Sequence, residues 1–351
     1  MTTPTEAPAA DEQGLRRVGL WGATASGKST FLSALFIAAV RSQADLRVKG
    51  TNDDSTDFLN RNTHTLNTRH RFPPPTLAQQ PLSWTLQMSV PNRVRSLWRK
   101  GSPTVPFDFR IDLQDAPGRA YAAAGPQQSE PSRLDLGDGG PTPGTAAAPE
   151  PGPSRIDLGN GNEIPEVANY LANCQGLLLL IDPIRERELG DAHEYFHGTL
   201  LRIAQRVELP PGQRLPHYVA VCVTKFDDPS VFRFARDNEF LSYTEYDPMM
   251  FPRVHDYEAE RFLRELFAGS PLSDVELVVG ALRQYFYPER VRYFITSAVG
   301  FYVGPSGEFR EDDYQNVVPL EDGSFAIRGQ IHPINVAEPM LWLGERIAAE
   351  G

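Results

Sequence analysis

The sequence predicts an α/β fold in which a mostly parallel sheet is covered by helices on both faces. Apolar strand-like runs alternate along the chain with segments of helical periodicity. Two of those runs, residues 176–181 and 218–223, are continuously apolar, as central parallel strands are. The length of 351 residues is sufficient for one large domain or two ordinary ones.

Each element follows from a local pattern. Residues 16–22 form the first predicted strand, and residues 29–40, apolar on nearly every side, form a buried helix. Residues 82–90 and 105–113 alternate in polarity, which predicts an antiparallel hairpin. Between the two central strands, a helix is indicated by Ala192, Phe196, Leu200, Ile203 and Val207. The remaining predictions are helices around 257–267 and 274–286, a strand at 291–296 and a closing helix at about 337–349.

Two segments have the composition of disordered chain. Residues 1–14 lack periodicity. The stretch at about 120–162 contains a duplication, PSRLDLGDG at 131–139 and PSRIDLGNG at 153–161. We interpret the duplication as an expanded loop; a short motif bound twice by a partner is the alternative. The predicted organisation is a disordered tail at 1–14 and one domain at 15–351, with a disordered insertion at about 120–162 and a helical insertion at about 228–289.

Composition and charge exclude several classes of protein. The formal charge of -11 argues against general nucleic-acid binding, so no nucleic-acid partner is expected. No apolar run approaches the roughly 18 residues of a membrane span, and the N-terminus lacks a secretory signal, so we expect a cytoplasmic protein. Cys174 and Cys222 lie at or within apolar strand-like runs, which predicts buried thiols. The basic segment 92–100 is interpreted as a solvated hairpin loop, with contact to a partner or an anionic membrane as the alternative.

A glycine-rich motif follows the first strand and precedes the first helix. Residues 22–29, GATASGKS, satisfy G-x-x-x-x-G-K-S, the phosphate-binding loop. Its backbone N–H groups and the helix N-terminus favour a bound anion. Lys28 is predicted to reach the β- and γ-phosphates, Ser29 to ligate magnesium, and Thr30 to support the α-phosphate. The predicted phosphate-side residues are Gly22, Ala25, Ser26, Gly27, Lys28, Ser29 and Thr30.

Two later motifs indicate which base is bound. The strand at 218–223 leads into Thr224-Lys225-Phe-Asp227, which resembles the base-recognition motif of GTPases, a variant of their N-K-x-D. A carboxylate at Asp227 can accept from both N1–H and the exocyclic amine of guanine, and the Lys225 stem can lie along the ring. Ser297-Ala298 resembles the S-A-x motif, which implies that the Ala298 N–H meets guanine O6.

A fourth motif, D-x-x-G, occurs at Asp115-Ala-Pro-Gly118. Along the chain the four motifs occur in the order G-x-x-x-x-G-K-S, D-x-x-G, T-K-x-D and S-A-x. On these motifs, residues 15–349, excluding the insertions, resemble the translation-factor-related (TRAFAC) class of P-loop GTPases. The resemblance implies a three-layer P-loop NTPase fold, a Ras-like G domain with large loop insertions, using GTP/GDP and Mg²⁺. It also implies that Asp115 holds the magnesium water shell and that the Gly118 N–H senses the γ-phosphate.

A narrower resemblance rests on the ending EPMLWL at 338–343 together with the expanded loops. These features are similar to the bacterial double-GTPase families associated with multi-gene conflict systems. That resemblance implies a protein partner, either a second GTPase or an associated adaptor.

Two residues of the predicted catalytic site are assigned only from their positions in the sequence. Thr76 is chosen as the first-switch threonine and a metal ligand because it lies just before the strand at 82; the competing residues are Thr51, Thr56, Thr63, Thr65 and Thr68. Arg119 follows Gly118, where many such GTPases carry a glutamine that orients water. Intrinsic hydrolysis is therefore predicted to be slow or partner-dependent. Arg119 either stabilises transition-state charge beside Lys28 and Thr76 or is a surface arginine.

The sequence thus favours a GTP-binding switch with a protein effector or regulator. An ATP-using P-loop enzyme and a nucleotide-bound scaffold with little turnover are the alternatives. A further motif, His193-Glu-Tyr-Phe-His197, matches the H-E-x-x-H of zinc proteases. Because no third ligand follows at a family spacing, we interpret it as a solvated helix face.

Overall fold

The computed structural model describes residues 16–23, 26–41, 46–74, 82–91, 104–113, 163–244, 247 and 249–350. The helices and strands within these ranges are β1 (Arg16–Gly22), α1 (Lys28–Arg41), β2 (Leu46–Gly50), α2 (Asp53–Asn67), β3 (Leu82–Pro91), β4 (Thr104–Leu113), α3 (Glu163–Ala172), β5 (Gly176–Ile181), α4 (Pro183–Leu189), α5 (Ala192–Val207), β6 (Tyr218–Val223), α6 (Pro229–Asp237), α7 (Ala259–Phe267), α8 (Val275–Tyr285), β7 (Val291–Ile295), β8 (Val317–Pro319), β9 (Phe325–Ile327) and α9 (Glu338–Ala348).

The main sheet has seven strands in the order β2-β3-β4-β1-β5-β6-β7. Strand β1 pairs in parallel with β4 and β5, and β6 pairs in parallel with β5 and β7. Strand β3 is antiparallel to both of its neighbours, β2 and β4. This arrangement confirms the predicted α/β fold with a mostly parallel sheet and an antiparallel hairpin. Strand β2 adds an outer edge strand that the sequence analysis did not predict.

The apolar runs of the central strands are explained by burial on both faces. All six residues of β5 are buried, and their side chains point alternately to opposite sides of the sheet. Leu178 and Leu180 pack with α1 and α9, whereas Leu177, Leu179 and Ile181 pack with α3, α5 and α8. Each such side chain stabilises the fold by about 1.5–3 kcal/mol relative to exposure. The result is three layers, helices on either side of one sheet.

Helix α2 is not predicted by the helix propensities of its own residues. Its residues include many weak helix formers, DDSTDFLNRNTHTLN, so propensity alone does not favour a helix. The side chain of Asn52 caps the first turn by accepting from the Ser55 N–H at 2.8 Å. Phe58, Leu59 and Leu66 are buried on one side of the helix. Capping and tertiary burial therefore supply what propensity lacks.

The chain between β7 and α9, residues 296–337, is termed here the post-β7 segment. It contains the small β8–β9 hairpin, which lies outside the main sheet. The Ile327 N–H donates to the His70 carbonyl at 2.9 Å, which joins β9 to the chain just after α2. A separate apolar cluster contains Ile37, Leu66, Val299, Ile327 and Ile331. The segment is thereby packed against α1 and α2.

Both cysteines are buried free thiols, as predicted. Burial raises the pKa of Cys174 to about 12. Among the helices that the structure describes, none has both the length and the apolar character needed to cross a membrane.

Candidate functional site

Four parallel strands end at one level on the same edge of the sheet. Gly22 of β1 is in register with Leu180 of β5, Leu180 with Cys222 of β6, and Cys222 with Phe294 of β7. Neighbouring strands lie about 4.8 Å apart, so β1 and β6 are separated by about 10 Å. The polar residues that follow these strands therefore surround one region at the carboxyl edge, where open α/β sheets bind ligands.

The glycine-rich loop at the end of β1 turns directly into α1. Gly27 has a φ of 92°, a left-handed backbone conformation that glycine adopts without strain. The Phe31 N–H donates to the Gly27 carbonyl at 2.7 Å and closes the first helical turn. The N-terminus of a helix carries a partial positive charge, so this turn favours a nearby anion. Ser26 adds a buried hydroxyl with no hydrogen-bond partner among the described residues. This combination fits an anionic oxygen ligand.

Lys28 bends back over the loop that carries it. Its Nζ donates to the carbonyls of Gly22 and Ala23 at 2.9 and 3.0 Å, and the residue is only 9% exposed. Ser29 and Thr30, next in the first turn of α1, are half-buried. The structure thus brings Gly22, Ser26, Gly27, Lys28, Ser29 and Thr30 together at the start of α1.

Helix α5 contacts the loop through a residue that sequence reasoning missed. The Gly22 N–H donates to the Tyr195 hydroxyl at 3.0 Å, and Trp21 stacks on Phe196 with ring centroids 4.7 Å apart. Tyr195 and Phe196 lie inside the H-E-x-x-H motif, so two of its residues pack toward β1.

The histidines of that motif are adjacent but lack a third ligand in the described structure. The rings of His193 and His197 stack with centroids 5.1 Å apart. No group of three or more His, Cys, Asp or Glu suited to a metal ion occurs among the described residues. The geometry of α5 therefore gives the zinc-protease alternative no support.

Asp227 is nearly buried at the end of β6, with 8% exposure. Ser297 Oγ donates to Asp227 Oδ1, and the Gly300 N–H donates to Ser297 Oγ at 2.7 Å. Burial raises the pKa of Asp227 to about 6, and the hydrogen bond from Ser297 opposes this rise. The carboxylate is therefore oriented by a chain of donors from the loop after β7.

Backbone hydrogen bonds hold the two loops against each other. The Phe226 N–H donates to the Thr296 carbonyl at 3.0 Å, and Ser297 exchanges hydrogen bonds of 3.0 and 2.8 Å with Ile334. Gly300 has a φ of 66°, and a Cβ there would lie 1.8 Å from the His332 carbonyl oxygen. Only glycine fits this position without strain. Ala298 is half-buried within this braced loop.

Thr224 and Lys225 both interact with the end of β5. The Thr224 hydroxyl donates to the Ile181 carbonyl at 3.2 Å. Lys225 has a φ of 58°, and its Nζ lies 2.6 Å from Asp182 Oδ2. The structure therefore places Thr224, Lys225, Asp227, Ser297 and Ala298 at the same carboxyl edge as the glycine-rich loop.

Several predicted residues lie outside the described ranges: Ala25, Thr76, Asp115, Gly118 and Arg119, together with the tail at 1–14, the basic segment 92–100 and the duplicated insertion. Of the threonines that compete with Thr76, Thr56 donates to the carbonyl of Asn52, the N-cap of α2, and Thr65 donates to the Arg61 carbonyl within α2. Thr51 donates to the Ser83 carbonyl at 3.0 Å. The predicted domain boundaries remain predictions.

Comparisons with known proteins yield structural resemblances at low identity. No protein-family model matches the chain, and no curated protein matches it. A signal recognition particle receptor SRb-GTP/SRX complex from Chaetomium thermophilum is 14% identical, with a TM-score of 0.34, over 83% of this chain and 93% of that one. Sup35 complexed with GMPPNP is 12% identical, with a TM-score of 0.28, over 85% of this chain and 44% of that one. Sup35 complexed with GDP is 12% identical, with a TM-score of 0.26, over 87% of this chain and 43% of that one. The chain thus spans less than half the length of the sup35 structures.

Proposed function

We propose that this chain is a GTP-binding protein that acts as a nucleotide-dependent switch, a member of the TRAFAC class of P-loop GTPases. The observation that carries the proposal is Asp227, a nearly buried carboxylate held by Ser297 at the sheet edge where the glycine-rich loop also lies. A carboxylate accepts hydrogen bonds and donates none when ionised. Asp227 can therefore accept hydrogen bonds from the N1–H and the exocyclic amine of guanine. On adenine the N1 atom is unprotonated and is itself an acceptor, so it cannot donate to the carboxylate.

On the phosphate side, Lys28 exchanges its two loop carbonyls for the β- and γ-phosphates. The first-turn N–H groups of α1 and the Ser26 hydroxyl bind further phosphate oxygens, and Thr30 supports the α-phosphate. Gly22, Ala25 and Gly27 shape the loop. Ser29, Asp115 and Thr76 are the proposed magnesium ligands, direct or through water, and bound Mg²⁺ would neutralise phosphate charge. Support comes from the placement of Ser29 in the first turn of α1.

On the base side, the Lys225 stem covers the purine and the Ala298 N–H meets O6. Ser297 orients Asp227, and Thr224 fixes the loop to β5 through the Ile181 carbonyl. Thr224 stands where the GTPase motif has asparagine, and its hydroxyl serves the scaffold. We therefore assign Thr224 the role of bracing this loop.

We propose slow or partner-dependent hydrolysis, because Arg119 replaces the glutamine that positions water. The γ-phosphate is sensed by Gly118 and Thr76. Single-turnover hydrolysis by wild type and Arg119→Gln tests this: faster turnover in Arg119→Gln supports the proposal. If GTP binds to both proteins and neither hydrolyses it measurably, the result favours the scaffold with little turnover.

We further propose that the chain works in the cytoplasm with a protein effector or regulator. The narrower resemblance to conflict-system GTPases implies that this partner is a second GTPase or an associated adaptor. The support is the sequence resemblance at 338–343 and the expanded loops.

The decisive experiment measures base selectivity. Gentle purification followed by mass analysis should recover GDP or GTP, and titrations should show guanine nucleotides binding far more tightly than ADP or ATP. In Asp227→Asn the amide can donate to the C2 carbonyl of xanthine, so GDP affinity should fall by roughly 100-fold while xanthosine diphosphate affinity rises.

Asp228→Asn is the matched control, because the neighbouring Asp228 caps α6 by accepting from the Ser230 N–H at 2.8 Å. Asparagine caps helices equally well. The base selectivity of the Asp228→Asn variant should therefore equal that of wild type. Equal wild-type affinity for ATP and GTP would contradict the proposal and favour the ATP-using enzyme.

A further inference from the structure

The carboxyl end of β5 carries a buried charge that the four motifs leave unexplained. Asp182 directly follows β5, and its side chain is 4% exposed. Oδ1 accepts from the N–H groups of Ile184 and Arg185 at 3.0 and 3.2 Å, which caps α4. Oδ2 lies 2.6 Å from Lys225 Nζ. One carboxylate thus joins α4 to the loop that carries Asp227.

The helix cap does not require the negative charge. Asparagine and serine cap helices about as well as aspartate, through a single side-chain oxygen. Burying an ionised carboxylate costs several kcal/mol unless it is paired. The ammonium of Lys225 supplies that pairing, so the pair accounts for the charge at Asp182.

The pair also fixes the direction of a lysine that would otherwise be mobile. The side chain of Lys225 is 43% exposed, and an unpaired lysine side chain at such a site retains most of its rotamer freedom. Lys225 follows β6, whereas Asp182 follows β5, the strand between β6 and β1. Its methylene stem therefore spans the interval of about 4.8 Å between two strands, on the side of Asp227 that faces the glycine-rich loop.

We propose that Asp182 is a positioning residue for guanine nucleotide binding. It holds the Lys225 ammonium so that the aliphatic stem forms a fixed surface for one face of the purine. This inference rests on the proposed function, and Asp182 itself does not touch the nucleotide. Because the stem contacts the ring, the effect is independent of the number of phosphates.

A double-mutant cycle tests the inference on the full chain. Asp182→Asn keeps the cap oxygen and removes the charge; Lys225→Met keeps an unbranched apolar side chain and removes the ammonium. The dissociation constants of fluorescent GDP and GTP are measured for wild type, both single variants and the double variant. Asp182→Asn should weaken GDP and GTP by the same factor, about tenfold, and should have no further effect in the Lys225→Met background.

Asp191→Asn is the matched control, since Asp191 is a half-buried carboxylate paired with Arg185 at the other end of α4. Its nucleotide affinity should stay at the wild-type value. Thermal unfolding without nucleotide checks that Asp182→Asn retains the fold, and Asp182→Ser, which also caps, replaces it if folding fails.

Two results would overturn the inference. Wild-type affinity in Asp182→Asn would show that the charge does not matter for binding. A tenfold loss that persists in the Lys225→Met background would show that Asp182 acts through α4 instead. Failure of wild type to bind any guanine nucleotide would reject the proposed function itself, which is a distinguishable result.

Discussion

The base side and the phosphate side of the candidate site differ in how completely their polar groups are arranged. Asp227 and Ser297 are bonded to each other, and their exposures are 8% and 0%. On the phosphate side, the Lys28 ammonium is held by loop carbonyls that a phosphate would have to replace. The base side is therefore organised before a ligand arrives, whereas the phosphate side must exchange partners. Groups organised in advance bind with less loss of conformational freedom.

The largest expected effect comes from the phosphate side. Lys28→Ala removes the ammonium that we propose contacts the β- and γ-phosphates, so GTP affinity should fall by about 100-fold or more. Isothermal titration or fluorescent nucleotide binding measures the loss. The exposed Lys49→Ala on β2 controls for net charge. Undiminished GTP binding by Lys28→Ala would remove the phosphate side from the proposal.

The next effect concerns the backbone of the base side. Gly300→Ala should destabilise the fold by about 3 kcal/mol, because the methyl group meets the His332 carbonyl and the left-handed φ disfavours alanine. Urea unfolding followed by circular dichroism measures this change. At Gly304 the nearest atom to an added Cβ is 3.7 Å away, so Gly304→Ala should be nearly neutral. Equal stability of the two variants would show that the base-side loop is not rigid.

Ser297→Ala tests the orientation of Asp227 more gently. Losing the hydroxyl removes one hydrogen bond to the carboxylate and should weaken GDP binding by about tenfold. It should also raise the pKa of Asp227 further, since the hydrogen bond from Ser297 lowers that pKa. Ser230→Ala removes a comparable serine–aspartate contact, to Asp228, and should leave GDP binding unchanged. The same loss in both variants would argue against a special role for Ser297.

The smallest expected effect is a pH dependence. In the proposed binding mode Asp227 accepts hydrogen bonds from guanine in its ionised form, and burial raises its pKa to about 6. GDP affinity should therefore fall by about twofold between pH 7.5 and pH 6, and further below that. Binding titrations across this range measure the midpoint, and in Asp227→Asn this component should vanish.

The nucleotide-free protein should show the opposite trend from the same group. Folding raises the pKa of Asp227 from 3.8 to about 6, so protonation favours the folded state. This contribution to stability is complete below pH 3.8 and is lost as the pH rises through 6. Thermal unfolding with and without GDP separates the two trends. An increase in Tm on adding GDP that does not change with pH would contradict the binding trend, and a free-protein Tm that does not fall between pH 4 and pH 7 would contradict the stability trend.

The parts of the fold that sequence reasoning found are those with strong local signals. β1 begins and ends where predicted, and continuous apolar runs located β5 and β6. Strand β2 and the β8–β9 hairpin escaped prediction because strands of three to five residues carry little periodicity. They are stabilised by pairing and packing with distant segments.

Within the candidate site, too, features with a local sequence signal could be predicted, whereas contacts between distant segments could not. The Lys225–Asp182 pair could not be predicted, because it depends on which rotamer an exposed lysine adopts. The Asp182-Pro183 sequence directly after β5 does carry a signal for a helix cap, so the helix could have been anticipated but not the ion pair. Tyr195 was missed because its motif directed attention to the flanking histidines.

The post-β7 segment couples the loop that carries Ser297 to distant parts of the fold. Its apolar cluster joins Val299, two residues beyond Ser297, to Ile37 and Leu66, and Arg41 donates to both the Ile331 carbonyl and Asn67 Oδ1. Local opening of the loop would therefore have to separate α1, α2 and the hairpin as one unit, and such subglobal unfolding costs more free energy than fraying of a loop. Thermal fluctuation of the loop that carries Ser297 and Ala298 is thus restrained by residues as distant along the chain as Ile37 and Ile331.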